Sequence, residues 1–418
     1  MIKTTVNYEI YHRDNCRLCS SLDVELVVKL EPIPPQEMYF DNANQARKVE
    51  RFPVDVYMCK SCGHVQQLDI LNSKALWNDY TYHSAEAKGM VEHFQEIATQ
   101  IINTYKPPTD TLVIDVGSND GSLLKPFKEK GFRVLGVDPA KEIAEVATAS
   151  GILTIPELFT EKLAHKIKDQ YGSASVITAF NSYAHADNLE DLTLGIRYLL
   201  KDDGVFIFEV QYLLDVIQKM LVGTIFHEHM SHHSLTPLKL FLERAGFTII
   251  KVSRVNIQHG SLIGIAMKTD NAKKADKSVD DLLALEETEK LCLLSSMERF
   301  NDRLKMIRKE VKNLVSEWKE NHFSVAGYGA ARSGQTLISQ FGFEGVIEYI
   351  FDDNRDKIYK YPAGDGIQVI PSDELYKRKP DIVIILAWVH SQRIIDEHQN
   401  FLNDGGHFVV LSPELGII

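Results

Sequence analysis

Positive charge is in short supply. The chain carries 46 lysines and arginines against 58 acids, a net charge of -12. A general nucleic-acid binder needs the opposite balance, because phosphates are gripped by a basic face. A local basic pocket for one phosphorylated ligand is still allowed. Long apolar runs are missing too. The strongest, at 111–116 and 381–389, have the length of buried strands and not of a membrane span. The opening Met1-Ile2-Lys3-Thr4-Thr5 lacks the apolar core of a signal peptide, so the expected location is the cytoplasm, with no membrane partner. Cysteine is sparse, five in all. In a reducing compartment disulfides are not expected, and clustered cysteines read as metal sites or inert core. Repeats and low-complexity linkers are absent, so the parts of the chain are expected to pack on one another.

A chain of 418 residues is too long for one hydrophobic core and implies two to four domains. Three blocks differ in texture. Residues 1–85 are rich in Cys, Pro and Tyr, with short strand-like runs. Residues 86–277 alternate strands and helices. Residues 278–418 open with a long charged, helix-periodic stretch, free of Pro and Gly from Asp280 to Glu320, and then alternate again.

Four of the five cysteines form two pairs, Cys16-Arg17-Leu18-Cys19 and Cys59-Lys60-Ser61-Cys62. Each pair can place two thiolates on one turn, and two such turns complete a tetrahedral zinc site. With sulfur in all four positions no coordination site stays open for water, so the zinc is expected to be structural. Residues 20–58 between the pairs must form a loop or hairpin. His12 and His64 flank the pairs as substitute ligands. Cys292, in a Leu-Cys-Leu-Leu stretch expected on a helix, reads as core.

In the middle block, residues 111–116 run into Gly117-Ser118-Asn119-Asp120-Gly121, a strand, glycine turn and helix start. The strand around Val134 ends in Asp138, about 20 residues on, where an acid can accept both ribose hydroxyls of an adenosine. The turn is Asp-x-Gly-x-x-x-Gly, with Asp115 leading. That acid suits the cationic amino-acid end of S-adenosylmethionine (SAM), whereas a pyrophosphate would want the helix start free of carboxylates. The cofactor expected at Asp115, Gly117, Asn119, Gly121, Asp138 and Asn181 is therefore SAM. Later strand ends deliver Asn181, Tyr183 and His185, then Glu209 and Tyr212. In an open parallel sheet all of these converge on the carboxyl edge, where ligands sit.

Phe226-His227-Glu228-His229-Met230-Ser231-His232-His233 follows. It is not His-Glu-x-x-His, because Ser231 holds the second ligand position. A metal site, a surface turn and a general base beside a carboxylate are all open readings. A His–Glu pair suits proton abstraction, since imidazole titrates near neutrality.

The last block repeats the strand–glycine turn–helix pattern at Gly327-Tyr328-Gly329-Ala330-Ala331-Arg332-Ser333-Gly334, followed by a strand ending at Asp352. Arg332 near a helix start suits a phosphate clamp. The alternative is a degenerate nucleotide fold that supplies a wall and a dimer surface. Trp388 and His390 close a later strand of the same sheet. A Tyr-x-x-x-Lys pair is missing near either glycine turn, which argues against an NAD-dependent oxidoreductase.

Taken together, the cysteine pairs, Asp-x-Gly-x-x-x-Gly, Asn181-Ser182-Tyr183-Ala184-His185, Phe208-Glu209-Val210, His227-Glu228-His229, Gln258-His259-Gly260-Ser261 and the late glycine turn occur in an order that resembles the sugar-nucleotide C-methyltransferases, over essentially the whole chain. That family adds a methyl to C-3 of TDP-linked 4-keto deoxysugars. The resemblance implies an N-terminal zinc-binding module (1–85), a class I SAM methyltransferase α/β domain with a doubly wound sheet (86–277), and a helical segment plus Rossmann-like α/β substrate domain (278–418). It implies His229 as base, Glu228 holding sugar or base, and His185 with Tyr80 or Tyr82 lining the pocket. Tyr183, Tyr212, His227, His259, Ser261, Tyr328, Arg332, Asp352 and Trp388 are the expected substrate contacts. The substrate is a small molecule, a nucleotide-linked sugar, and the chain is expected as a monomer or homodimer. The sequence departs from the family's pattern at Phe226, where a tyrosine is usual, and at His232, His259 and Ser333. These departures leave a SAM-dependent O- or N-methyltransferase on another phosphorylated metabolite as the rival reading.

Overall fold

The computed structural model describes residues 8–72, 76–77, 83–86 and 89–418. Its centre is a seven-stranded sheet. From one edge the strands run Thr154–Ile155, Arg133–Val137, Leu112–Val116, Ala174–Phe180, Leu200–Gln211, Ser261–Lys268 and Phe247–Val255. Only Ser261–Lys268 runs against its neighbours. The two central strands, Leu112–Val116 and Ala174–Phe180, are buried along their whole length. Their unbroken apolar character is what a sheet covered on both faces requires. Strand order reverses between these two, which opens a crevice at their carboxyl ends.

The helix Met90–Tyr105 shows how pattern becomes packing. Met90, Phe94, Ile97, Ala98 and Ile101 recur at helical spacing and are buried against the sheet. The helix stops at Lys106, which takes a left-handed conformation before Pro107 and Pro108.

A second sheet orders Gln368–Pro371, Tyr349–Asp352, Val325–Tyr328, Ile382–Ile385, His407–Val410 and Gly416–Ile417, parallel except for the last strand. The front module is a four-stranded antiparallel sheet of Val24–Val28, Val56–Cys59 and Val65–Gln67, completed by Ser231–His232 from the middle block. Tyr39–Phe40 of the front module pairs with Tyr361–Pro362 of the last block. The blocks are therefore laced together by hydrogen bonds.

The helix-periodic stretch after residue 277 is two helices, Lys277–Thr288 and Leu294–Glu320. Cys292 lies in the break and not on a helix. There the chain turns at Lys290, with φ of +53°. The break seats Cys292 on Gly63, where a Cβ would come within 2.4 Å of the Cys292 Cβ. The long helix then buries Met297, Phe300, Leu304, Ile307, Val311, Val315 and Trp318 as one stripe and touches all three blocks. Among the described residues no helix is long and apolar enough to cross a membrane.

Candidate active site

Asp115 lies buried one residue before the end of its strand, and Gly117 follows that end with φ of +78°. A side chain at Gly117 is excluded twice, by that backbone angle and by Ser182, whose Cβ would lie 2.3 Å from an added Cβ. Gly121, at φ +82°, packs on Ile152 and shapes the turn without facing the cavity. Asn119 N–H donates to the Asp138 carboxylate at 2.8 Å, and Ala140 N–H donates to its other oxygen at 2.9 Å. Ser84 and Ala85 reach over the turn, their amides donating to Asn119 Oδ1 (2.9 Å) and Asp120 Oδ2 (2.8 Å).

A cavity of about 500 Å³ opens above this turn. Asp115, Gly117, Asn119, Asp138, Asn181 and His185 all line it, so most of the expected cofactor residues meet at one place. Burial pushes the Asp115 carboxyl up to about 7, against the lowering effect of the Thr178 hydroxyl. Burial also raises Asp138, again opposed by its backbone donors. Among the described residues neither acid has an ion-pair partner. A buried acid without a cation, Asp115, beside a turn stripped of side-chain bulk, fits a ligand that brings its own positive charge, and Asp138 fits the hydroxyls of a ribose. SAM has two, a sulfonium and an ammonium.

Asn181 sits at φ +54°. Its amide N–H donates to the Glu209 carbonyl at 2.9 Å, and its Nδ2 donates to Glu209 Oε1 at 3.4 Å. The far Glu209 oxygen pairs with His93 Nε2 at 2.6 Å. His93, on the helix over the cleft, had no signal in the sequence beyond its place among the apolar positions of that helix. Trp77 was missed likewise, and its ring stacks on His185 with centroids 5.8 Å apart.

His229 stands one ring behind the cavity wall, stacked on His185 with centroids 5.1 Å apart and tilted against Phe226 at 4.1 Å. Its Nδ1 lies 2.6 Å from the Thr224 carbonyl oxygen. A carbonyl can only accept, so Nδ1 carries the proton and Nε2 is the bare nitrogen. Burial, then His185 and His232, hold His229 well below the ordinary histidine range. Burial and the Arg332 charge push His185 down to about 3. Both rings are neutral at physiological pH. Glu228 pairs with Arg332 across the middle and last blocks, and burial still lifts its carboxyl to about 7.

The His227–His233 segment is held by the front module. Arg17, inside the first cysteine pair, is 3% exposed. Its guanidinium donates to Gln66 Oε1, the Met230 and Gln67 carbonyls and Asp187 at 2.9–3.1 Å. Gln67 Nε2 donates to the Phe226 and His229 carbonyls at 2.9 and 3.1 Å. The four cysteine sulfurs lie within 4.8 Å of one another, with Cys16–Cys62 at 3.6 Å and Cys19–Cys59 at 3.5 Å. A tetrahedral Zn–S site with bonds of about 2.3 Å spaces its sulfurs about 3.8 Å apart, so the four thiols fit zinc. The nearby histidines are engaged otherwise: His12 Nδ1 meets Asp69 at 2.9 Å and His64 Nε2 meets the Ser231 hydroxyl at 3.3 Å. Among the described residues the four cysteines are the group that could hold a metal.

Several expected substrate contacts lie elsewhere. Tyr183 is fully buried, its hydroxyl bonded to Thr193 at 2.6 Å and its ring on Phe208, because the turn after Asn181 aims it into the core. Tyr212 comes after the last residue of its strand and is drawn under the next helix, its hydroxyl donating to Glu286 at 3.0 Å. His227 faces away from the cleft, to the Phe52 carbonyl at 3.3 Å. Ser261 is buried, donating to the Ile257 carbonyl at 3.3 Å. Tyr328 bonds His398 at 2.8 Å within the core of the last block. Asp352 spends its oxygens on the amides of Ala330 (2.6 Å) and Asn354 (2.7 Å). His259 and Trp388 meet each other, with centroids 5.1 Å apart, and not the cavity, although Gln258 lines it. Tyr80 and Tyr82 fall outside the described residues.

The sheet order and the acid-rich glycine turn define a class I SAM methyltransferase with an added structural zinc module. Comparison with known proteins agrees in each segment. Residues 16–77 match a putative zinc-binding domain, 90–252 a methyltransferase domain and 256–413 a C-methyltransferase C-terminal domain. The chain is a SAM-dependent methyltransferase with the domain set of the C-methyltransferases. It is 29% identical over 406 residues to the C-methyltransferase NovU of Streptomyces niveus, covering 97% of each chain. A shorter match, 26% over 162 residues, joins 34% of it to 61% of the uncharacterized protein MJ1252 of Methanocaldococcus jannaschii. Among solved structures, PH0226 from Pyrococcus horikoshii superposes on 45% of this chain and 95% of its own, at 16% identity and a TM-score of 0.38.

Proposed function

We propose that the enzyme transfers a methyl group to a carbon next to a ketone on a nucleotide-linked sugar, with His229 as the base. The observation that carries this reading is the Thr224 carbonyl on His229 Nδ1 at 2.6 Å, which leaves Nε2 bare on a neutral ring stacked against the cavity wall. A carbon becomes nucleophilic only when it loses a proton, and a ketone beside it turns the resulting charge into an enolate. His229 Nε2 takes that proton, and the ring becomes an imidazolium stabilised by the Thr224 carbonyl. His185, neutral and lining the cavity, is placed to donate to the growing oxyanion. SAM, held at Asp115–Asp138, supplies a methyl on a sulfonium, whose departure needs no acid. The cavity lining shared by Asn181, His185 and Gln258 positions the acceptor. Arg332 and the last block hold the charged nucleotide. The setting is a reducing, cytoplasmic one, and the chain acts as a monomer or homodimer on a small molecule, without nucleic acid or membrane.

A second reading has one observation in its favour. Phe226, 4.1 Å from the His229 ring, brings no hydroxyl to the base. A base without that phenol can equally deprotonate a hydroxyl or amine for O- or N-methylation. Solvent deuterium separates the two. Incubation of a 4-keto sugar nucleotide in D2O without SAM should place deuterium on the α carbon. His229→Ala should abolish both this exchange and turnover while SAM still binds; exchange at the normal rate in that variant removes the base assignment.

A further inference from the structure

The glycine turn of the last block, Gly329–Gly334, is occupied by the protein itself. A strap of the front module, Pro34–Met38, crosses it on the way to the strand pair Tyr39–Phe40 and Tyr361–Pro362. Glu37 lies on this strap, its side chain nine-tenths buried, 3.8 Å from Arg332 Nε and 3.6 Å from Lys357 Nζ. Its backbone sits at φ +58°, a conformation that glutamate rarely adopts. Beside it the Tyr39 hydroxyl donates to the Ala330 carbonyl at 2.9 Å, and Lys357 Nζ donates to the same carbonyl at 3.0 Å. The gap between strap and turn is about 20 Å³. A water fits such a space, and the place beside Arg332 and Lys357 is taken by the Glu37 carboxylate.

Charge makes the same point. Arg332 stands between Glu37 of the front module and Glu228 of the middle block. Among the described residues the acids Glu37 and Glu228 face the bases Arg332 and Lys357, so a multiply charged anion arriving there meets cations already paired. Removing Glu37 from it restores one free positive charge and the space.

We propose that Glu37 is a built-in competitor for an anionic ligand at this turn. Its carboxylate holds Arg332 and Lys357 until a diphosphate displaces it and the strap. This rests on the reading that the substrate is nucleotide-linked and names the subsite of its diphosphate. It makes Lys357, unremarked in the sequence, the second cation of that subsite and Glu37 a determinant of which substrates enter. The strap's link to Glu228 through Arg332 means that diphosphate binding is felt at the His227-Glu228-His229 segment.

The test is calorimetric titration of the zinc-loaded full chain with inorganic pyrophosphate at low salt. Glu37→Gln, which keeps the shape and removes the charge, should bind pyrophosphate at least about 10-fold more tightly than the wild type. Adding Lys357→Met should reverse that gain. Should Glu37→Gln fold poorly, hydrogen exchange on the wild-type chain decides: saturating pyrophosphate should speed exchange of the amides between Gln36 and Phe40. Glu37→Gln binding no tighter, strap amides unchanged, or no pyrophosphate bound by any form would each overturn the proposal. Deuterium exchange at the sugar carbon is read separately, so failure of the carbon-acid mechanism leaves its own signature.

Discussion

Asp115 is a carboxylate with a hydroxyl for a partner and little water, and the cost of ionising it shows in a pKa of about 7. The folded value lies above the unfolded one of 3.8, so folding favours the protonated acid. The stability this gives is present at low pH and fades as pH rises from about 4 to 7. A cationic ligand reverses the preference. SAM affinity should therefore rise between pH 5.5 and 7.5, with protons released on binding below pH 7. Calorimetry in buffers of different ionisation heat measures that release, and proton uptake in this window would contradict the pairing of Asp115 with the cofactor. Asp115→Asn should flatten the dependence and weaken SAM about 10-fold or more, since each lost pKa unit of coupling is about 1.4 kcal/mol. Asp115, Gly117 and Asp138 were legible in the sequence because a glycine turn between buried strands admits few uses. His93, Trp77 and Thr224 were not. One is a polar residue among helical apolar positions, one is a lone aromatic outside any sequence motif, and one acts through a carbonyl that every residue possesses.

At the scale of elements, the segment from Phe226 to His233 has little regular structure of its own. It is ordered by becoming an edge strand of the front sheet at Ser231–His232 and by the side chains of Arg17 and Gln67. Strand pairing with a partner so distant in sequence leaves no periodic trace, so the sequence admits a metal site, a turn or a base here, and only the chemistry of the His–Glu pair favours the base. Arg17→Met should leave the Met230 carbonyl with the Gln67 amide as its remaining donor and Asp187 with one cation fewer. The expected cost is about 3 kcal/mol of stability, seen as a lower urea midpoint. Turnover should fall about 10-fold with SAM affinity changed much less, because Arg17 does not line the cavity. An Arg17→Met enzyme with normal kcat would show that the base is positioned without the zinc knuckle. The break between Lys277–Thr288 and Leu294–Glu320 teaches a similar lesson. Local propensity favours one helix across it, and packing of Cys292 on Gly63 and burial of Leu291 favour two.

For the whole molecule, the front module is the hub. It carries the four thiols, lends a sheet to the segment of His229, lines the cavity with Tyr11, Ile70 and Leu71, and sends the strap to the last block. Removing zinc should then reach beyond the module. Treatment with a strong chelator is expected to lower the melting temperature, speed amide exchange across Phe226–His233 and abolish methyl transfer, all restored by added Zn2+. A site saturated about 1,000-fold over its Kd contributes about 4 kcal/mol by mass action alone. Chelated enzyme with full activity and unaltered exchange would confine the metal to the module itself.

What could be read from the residues in order was whatever depends on neighbours in the chain. The paired cysteines, the two strand–glycine–helix units and the acid at the end of the second strand are local patterns whose spacing already carries the chemistry. Which way a side chain turns at the end of such a unit depends on what packs against it. Tyr183 and Tyr212 were expected at the ligand and lie in the core, because their rings find burial there and their hydroxyls find Thr193 on the next helix and Glu286 on a distant one. The grip of Arg17 and the seat of Glu37 on Arg332 and Lys357 each join segments far apart in sequence, and the tautomer of His229 depends on how an irregular turn folds its ring back onto the nearby Thr224 carbonyl. Hydrogen bonds and ion pairs act over a few ångströms of space whatever the separation along the chain, so those contacts were decided by the tertiary structure.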